Sequence, residues 1–205
     1  MRTCAPRPGL ATLSLTLCML AGCGSTPPTR LYVLPTLTDA APPAAAGKRE
    51  LTMGVGPVTL PPYLDRPQIV TRASRAKLSL GEYDQWAASL QESVTRVLAE
   101  NLSLLIPTDR VMLHPWPRQP AVDYQVTVEV TQFDRTLAGE VVLAARWSLA
   151  TADGPEVLLR TARLSAPAGG PEYEATVTAM SRTLEALSRD IAAALVTIAQ
   201  QAPTR

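Results

Sequence analysis

Covalent catalysis needs a nucleophile beside a base, or a metal held by several donors, and this chain is poor in both. Its 205 residues include one histidine, His114, in the proline-rich run Met112-Leu113-His114-Pro115-Trp116-Pro117, which reads as surface. A single imidazole without a second histidine or a free thiol builds neither a triad nor a zinc site. No Gly-x-Ser-x-Gly, His-Glu-x-x-His or phosphate-binding glycine loop occurs. Carboxylates such as Asp65, Glu82 and Asp84 could do acid–base work, but their spacing singles out no pair. The expectation is a protein that is not an enzyme and binds no metal, with His114 the one residue through which catalysis could be tested.

The three cysteines carry a clearer signal. A basic start, Met1-Arg2-Thr3-Cys4-Ala5-Pro6-Arg7, precedes an apolar run from Leu10 to Leu20. That run is too short to cross about 30 Å of hydrocarbon and reads as an export signal. It closes on Leu20-Ala21-Gly22-Cys23. Small side chains at Ala21 and Gly22 let an extended chain enter a peptidase cleft, and the Cys23 thiol behind them can be alkylated by diacylglycerol. The stretch resembles the lipobox of bacterial lipoproteins, which implies cleavage after Gly22 and a lipid anchor on Cys23. Each buried methylene contributes ~0.8 kcal/mol and one chain binds only reversibly, so the three chains that the resemblance implies make a permanent anchor. Gly24 in place of an aspartate implies the outer membrane, on its periplasmic face. Cleavage also removes Arg2, Arg7, Cys4 and Cys18, moving the net charge from +1 to −1 and leaving Cys23 as the sole cysteine. No internal disulfide or cysteine-rich metal site is then possible.

The remaining residues must build a domain that needs neither. Nineteen basic against 18 acidic residues exclude the basic footprint of a nucleic-acid binder. Aromatics at 4% throw the packing onto Leu, Val, Ile and Ala. The expected division is a signal peptide over residues 1–22, the lipidated cysteine and a flexible tether over 23–30, and a single α+β domain over 31–202. Short strands are expected at Leu31–Leu34, Leu51–Val58 and Ile69–Arg72, with a weak one at Lys77–Leu80. A Pro/Ala loop fills 38–49. Asp84 is a candidate N-cap for a helix to about Ile106, its stripe Trp86, Leu90, Val94, Val97, Leu98, Leu102 and Leu105 recurring at helical spacing. Tyr124, Val126, Val128 and Val130 alternate with polar residues, as do Val141, Leu143, Ala145, Trp147 and Leu149, and Val157–Leu164 completes a meander. A final amphipathic helix runs from Tyr173 through Ile198. The fold class is α+β, a mainly antiparallel sheet with both long helices on one face.

One segment stands apart. Leu60-Pro61-Pro62-Tyr63-Leu64-Asp65-Arg66-Pro67-Gln68-Ile69-Val70 sits in a proline-dense stretch that can be neither a helix nor an inner strand. It is expected to form a stiff connection between strands, with Tyr63 and Leu64 anchored and Asp65 and Arg66 each facing a separate partner. A stiff loop loses little entropy on binding, which suits a docking surface; the plainer reading is a crossover that covers the sheet.

The same run resembles the signature of the ABC-type transport auxiliary lipoproteins, the PqiC/YmbA-like family of membrane integrity-associated transporter subunits. Leu31-Tyr32-Val33-Leu34 soon after the cysteine, Trp86 followed by Leu90, and Ala145-Arg146-Trp147-Ser148-Leu149 add to the match. The resemblance implies a non-catalytic, cofactor-free subunit of an MCE-type intermembrane lipid-transport system. Its partners would be an MCE-domain periplasmic protein, the inner-membrane permease complex and the outer membrane, with Tyr63, Leu64, Asp65, Arg66 and Trp86 as candidate partner-binding residues. A homo-oligomer fits the heptad-like last helix, and a monomer fits the composition equally. Competing expectations are another outer-membrane assembly lipoprotein, of the LPS-assembly or secretion-pilot type, a periplasmic lipid-binding module and, least favoured, a periplasmic hydrolase.

Overall fold

The computed structural model describes residues 27–38, 51–106, 108, 110–116, 122–151 and 154–201. The expected signal peptide, Cys23, the first tether residues and the Pro/Ala loop beyond Thr38 lie outside the described residues. The elements in chain order are β1 (Arg30–Tyr32), β2 (Thr52–Thr59), β3 (Gln68–Arg72), β4 (Leu78–Trp86), α1 (Leu90–Leu105), β5 (Arg110–Leu113), β6 (Tyr124–Arg135), β7 (Glu140–Thr151), β8 (Glu156–Pro167) and α2 (Tyr173–Gln201).

Strand β6 organises the molecule. Its alternation places Tyr124, Val126, Val128 and Val130 in the core and leaves Glu129 and Thr131 exposed. Along one edge it pairs antiparallel with β7 over nearly its whole length, from Tyr124↔Thr151 to Arg135↔Val141. The β6–β7 turn needs a left-handed residue, supplied by Gly139 at φ 79°. β7 in turn carries β8, with Leu143↔Leu164 and Trp147↔Arg160 opposed.

The opposite edge of β6 is shared by two strands in succession. β2 pairs parallel with Tyr124–Glu129, and β3 meets the far end at Thr71↔Arg135, also parallel. The segment between β2 and β3 therefore bridges two halves of one strand edge. β3 continues antiparallel to β4, β1 lies parallel on β4, and β5 lies parallel on β2. The result is an eight-stranded sheet in the order β1-β4-β3-β6-β2-β5, with β7 and β8 added beyond β6. The longest pairings are antiparallel, as expected. The shorter parallel ones, and β5 itself, were not legible in the sequence.

Both helices pack on the sheet and on each other. α1 buries Leu90, Val94, Val97, Leu98 and Leu102, and α2 buries Val177, Met180, Leu184, Leu187, Ile191 and Leu195. Burying each such side chain is worth about 1.5–3 kcal/mol, so packing rather than intrinsic propensity holds these helices. Their contact includes a satisfied polar bridge, Asn101 Nδ2 donating to Ser188 Oγ at 3.2 Å while Asn101 Oδ1 accepts from the Leu37 amide at 2.9 Å. No helix among the described residues is long and apolar enough to cross a membrane.

The first helix starts later than its periodicity predicts. Asp84 and Trp86 belong to β4, and the N-cap is Ser89, whose side chain makes no capping bond. The spacing from Trp86 to Leu90 is helical only by coincidence across the strand–helix junction. Asp84 does not cap because its carboxylate is taken by β1. The weak strand expected at Lys77–Leu80 extends to Trp86 through a bulge, where the register jumps from Val70↔Leu80 to Gln68↔Gln85. Gly81 permits that bulge, since a Cβ there would lie 2.8 Å from the Asp84 carbonyl oxygen.

Candidate functional site

The proline-dense segment crosses from β2 to β3 as a single 3-10 turn, Pro62–Leu64, entered through Pro61 at φ −65° and ψ 145°. Backbone bonds close it tightly: the Leu64 amide donates to Pro61 O at 2.9 Å and the Arg66 amide to Leu64 O at 2.9 Å. Proline fixes φ and removes donors that a crossover has no means of pairing, which is why this sequence makes a turn of defined shape rather than more strand.

Beneath the turn lies a buried carboxylate. Asp134 of β6 is wholly inaccessible and accepts three hydrogen bonds, from Tyr63 Oη at 2.7 Å, Arg72 Nε at 2.8 Å and Gln132 Nε2 at 3.0 Å. The Arg72 guanidinium also lies 6.0 Å from the centre of the Tyr63 ring. Burial, reinforced by the bond to Asp134, pushes the Tyr63 phenol up to about 12, so it stays a donor at every physiological pH. Arg72 is held in its charged form, first by its bond to Asp134. Leu64, 2% exposed, drops into the core beside this group, and the Trp86 amide donates to Pro67 O at 2.7 Å at the far end of the loop. A turn pinned at Tyr63, Leu64 and Pro67 has little freedom.

Asp65 and Arg66 are what this scaffold displays. Both are exposed, and neither side chain makes a hydrogen bond or ion pair among the described residues. The five candidate partner-binding residues thus divide: Leu64 and Trp86 are buried supports, Tyr63 is half-buried and bonded inward, and Asp65 and Arg66 face solvent. The expected separate partners of Asp65 and Arg66 are not within the described fold. Asp134, Arg72 and Gln132 were missed from sequence; the available signal was an acid continuing the alternation of an apolar strand directly after Phe133.

A second buried carboxylate secures β1. Asp84, 3% exposed, accepts from Arg30 Nε at 2.7 Å, from Arg30 Nη2 at 2.6 Å and from Tyr32 Oη at 2.7 Å. The Arg30 bond is the main cause holding this carboxyl below its ordinary value. The first strand among the described residues, β1, is therefore clamped to the body.

His114 is exposed, its ring edge-on to Trp116 at 5.3 Å and 83°. No cluster of three or more metal-ligating side chains occurs among the described residues. An open cleft of about 250 Å³ is lined by Pro57, Thr127, Glu129, Arg146, Trp147 and Leu159 among others, polar and apolar in nearly equal parts.

These features define a class: an α+β domain that clamps its own N-terminal strand and displays a braced, charged loop. The chain matches the family model for the ABC-type transport auxiliary lipoprotein component over residues 32–192, and it belongs to that family. Two solved structures share the fold. A protein from Xanthomonas campestris, XCC0632 of family DUF330, is 16% identical, covers 84% of this chain and 98% of its own, and superposes with a TM-score of 0.70. The crystal structure of an uncharacterized protein is 21% identical, covers 82% of this chain and 99% of its own, with a TM-score of 0.68. None of the curated proteins compared matches the chain.

Proposed function

We propose that this auxiliary transport component works at the outer membrane as the docking subunit of an MCE-type intermembrane lipid-transport system. Acylated Cys23 holds it to the periplasmic face, and the Tyr63–Arg66 turn receives the periplasm-spanning MCE-domain protein whose inner-membrane permease drives transport. The domain does no bond-making chemistry and needs no cofactor.

The observation that carries this reading is the contrast within one loop. Tyr63, Leu64 and Pro67 are committed to the fold, while Asp65 and Arg66 stand exposed and unpaired on that base. An adaptor benefits from this arrangement, because the ordering entropy of the loop is lost during folding and not on binding.

Two measurements test it. Affinity purification of the mature protein should bring down an MCE protein, and Arg66→Glu should lose it while the thermal melt stays unchanged. Recovery of an outer-membrane barrel instead would assign the chain to an assembly lipoprotein, and retention of the MCE protein by both Arg66→Glu and Tyr63→Ala would make the loop structural only. Cys23→Ala should move the protein to the soluble periplasmic fraction; persistence with membranes would refute the anchor.

A further inference from the structure

We infer that the outward face of β1 is a membrane seat, with Leu31 and Val33 resting in the interfacial layer of the bilayer that holds Cys23. This rests on the anchor reading above. Leu31 and Val33 are 65% and 61% exposed, whereas Leu34 beside them is 1% exposed and belongs to the core. Alternation places Leu31 and Val33 on one side of the extended chain and Tyr32 and Leu34 on the other. Tyr32 and Leu34 hold the domain, through Asp84 and the core respectively. Leu31 and Val33 hold nothing within it.

The flanking chemistry admits a bilayer. Leu31 pairs across the sheet with Gln85, and Gln85 with Gln68, so the row across the sheet from Leu31 is uncharged. The sequence sets the reach: seven residue steps separate Cys23 from Arg30, at most about 25 Å when fully extended. β1 is therefore the first folded element that the anchor brings to the surface. Two side chains partition weakly by themselves, but a lipid on the same chain makes their insertion intramolecular, and a weak contact then suffices. The Arg30 and Tyr32 bonds to Asp84 make β1 rigid with the rest of the domain. Seating β1 consequently fixes the orientation of the whole domain, with the β1–β4 end of the sheet toward the membrane.

The mature chain makes the experiment clean, since its single cysteine carries the lipid and an introduced thiol can be labelled alone. Acylated Val33→Cys protein bearing an environment-sensitive fluorophore is reconstituted into phosphatidylcholine vesicles, with and without brominated acyl chains. Leu159→Cys, on β8 and 55% exposed in the native chain, is the comparison site. The expected result is quenching at position 33 several-fold greater than at position 159. Equal quenching at both positions, or none at 33 in protein that floats with the vesicles, overturns the seat and leaves the anchor standing. Protein that does not float overturns the anchor and the seat together. Quenching at 33 that follows protein density rather than brominated lipid assigns the pair to contact between copies, and also overturns the seat.

Discussion

Two aspartates, each gripped by an arginine and a tyrosine, hold this domain in different ways. At Asp134 the arginine is Arg72, only 27% exposed at its side chain, and a third donor, Gln132, completes the set. At Asp84 the arginine is Arg30, 61% exposed, and the tyrosine lies on the same strand two residues away. The same three residue types thus make a buried brace under the loop and, on β1, a clamp whose arginine faces solvent. The arginine decides the difference, since both carboxylates are buried. Water reaches the largely exposed Arg30 guanidinium and screens that pair, whereas Arg72 is mostly covered and loses more if its partner is removed.

That contrast orders the expected effects of substitution. Asp134→Ala should be the most damaging, about 3–5 kcal/mol in a denaturant melt, because it strands the half-buried Arg72 and removes the acceptor of Tyr63. A loss below 1 kcal/mol would mean that water already reaches the network. Tyr63→Phe should cost about 1.5–3 kcal/mol, the range for a hydrogen bond to a charged group, and loosen the loop to amide exchange. It should also delete one transition from the ultraviolet tyrosine titration. Since the folded phenol titrates near 12 against an ordinary 10.0, the wild type should lose stability as pH rises between those values, and Tyr63→Phe should lose less.

Asp84→Asn should act more gently and more locally. The folded carboxyl titrates below the ordinary 3.8, so its stabilisation is complete above that value and disappears as pH falls through the lower folded one. Amide exchange at Arg30–Tyr32 should speed up in that acid window in the wild type. In Asp84→Asn it should be fast at neutral pH and show no such step. Global unfolding of β1 together with β6 at the same pH would erase the distinction between clamp and brace. Arg66→Glu marks the lower limit, within about 0.5 kcal/mol of wild type because the side chain contacts nothing that folds.

Legibility from sequence followed the range of the forces. The meander and the last helix were readable because Tyr124–Val130 and Val141–Leu149 alternate over many residues and α2 keeps its stripe from Tyr173 to Ile198. The first helix was overextended because Asp84 looks like a cap locally, and only Arg30, 54 positions earlier, shows what engages it. β5, with four residues and mostly exposed side chains, offers too little period to detect. Within the candidate site, the stiffness of the proline run was legible, whereas the burial of Leu64 and the meeting of Tyr63 with Asp134, 71 positions beyond it, were not.

By itself the sequence determined what is covalent or periodic: a cysteine behind small residues, a turn that proline forces, strands and helices with one apolar face each. Tertiary structure decided which side chains of the signature segment remain free for a partner. Burial and pairing depend on residues brought together from distant parts of the chain, and no local pattern encodes that Asp134 would meet Tyr63 or that Asp65 and Arg66 would be left exposed.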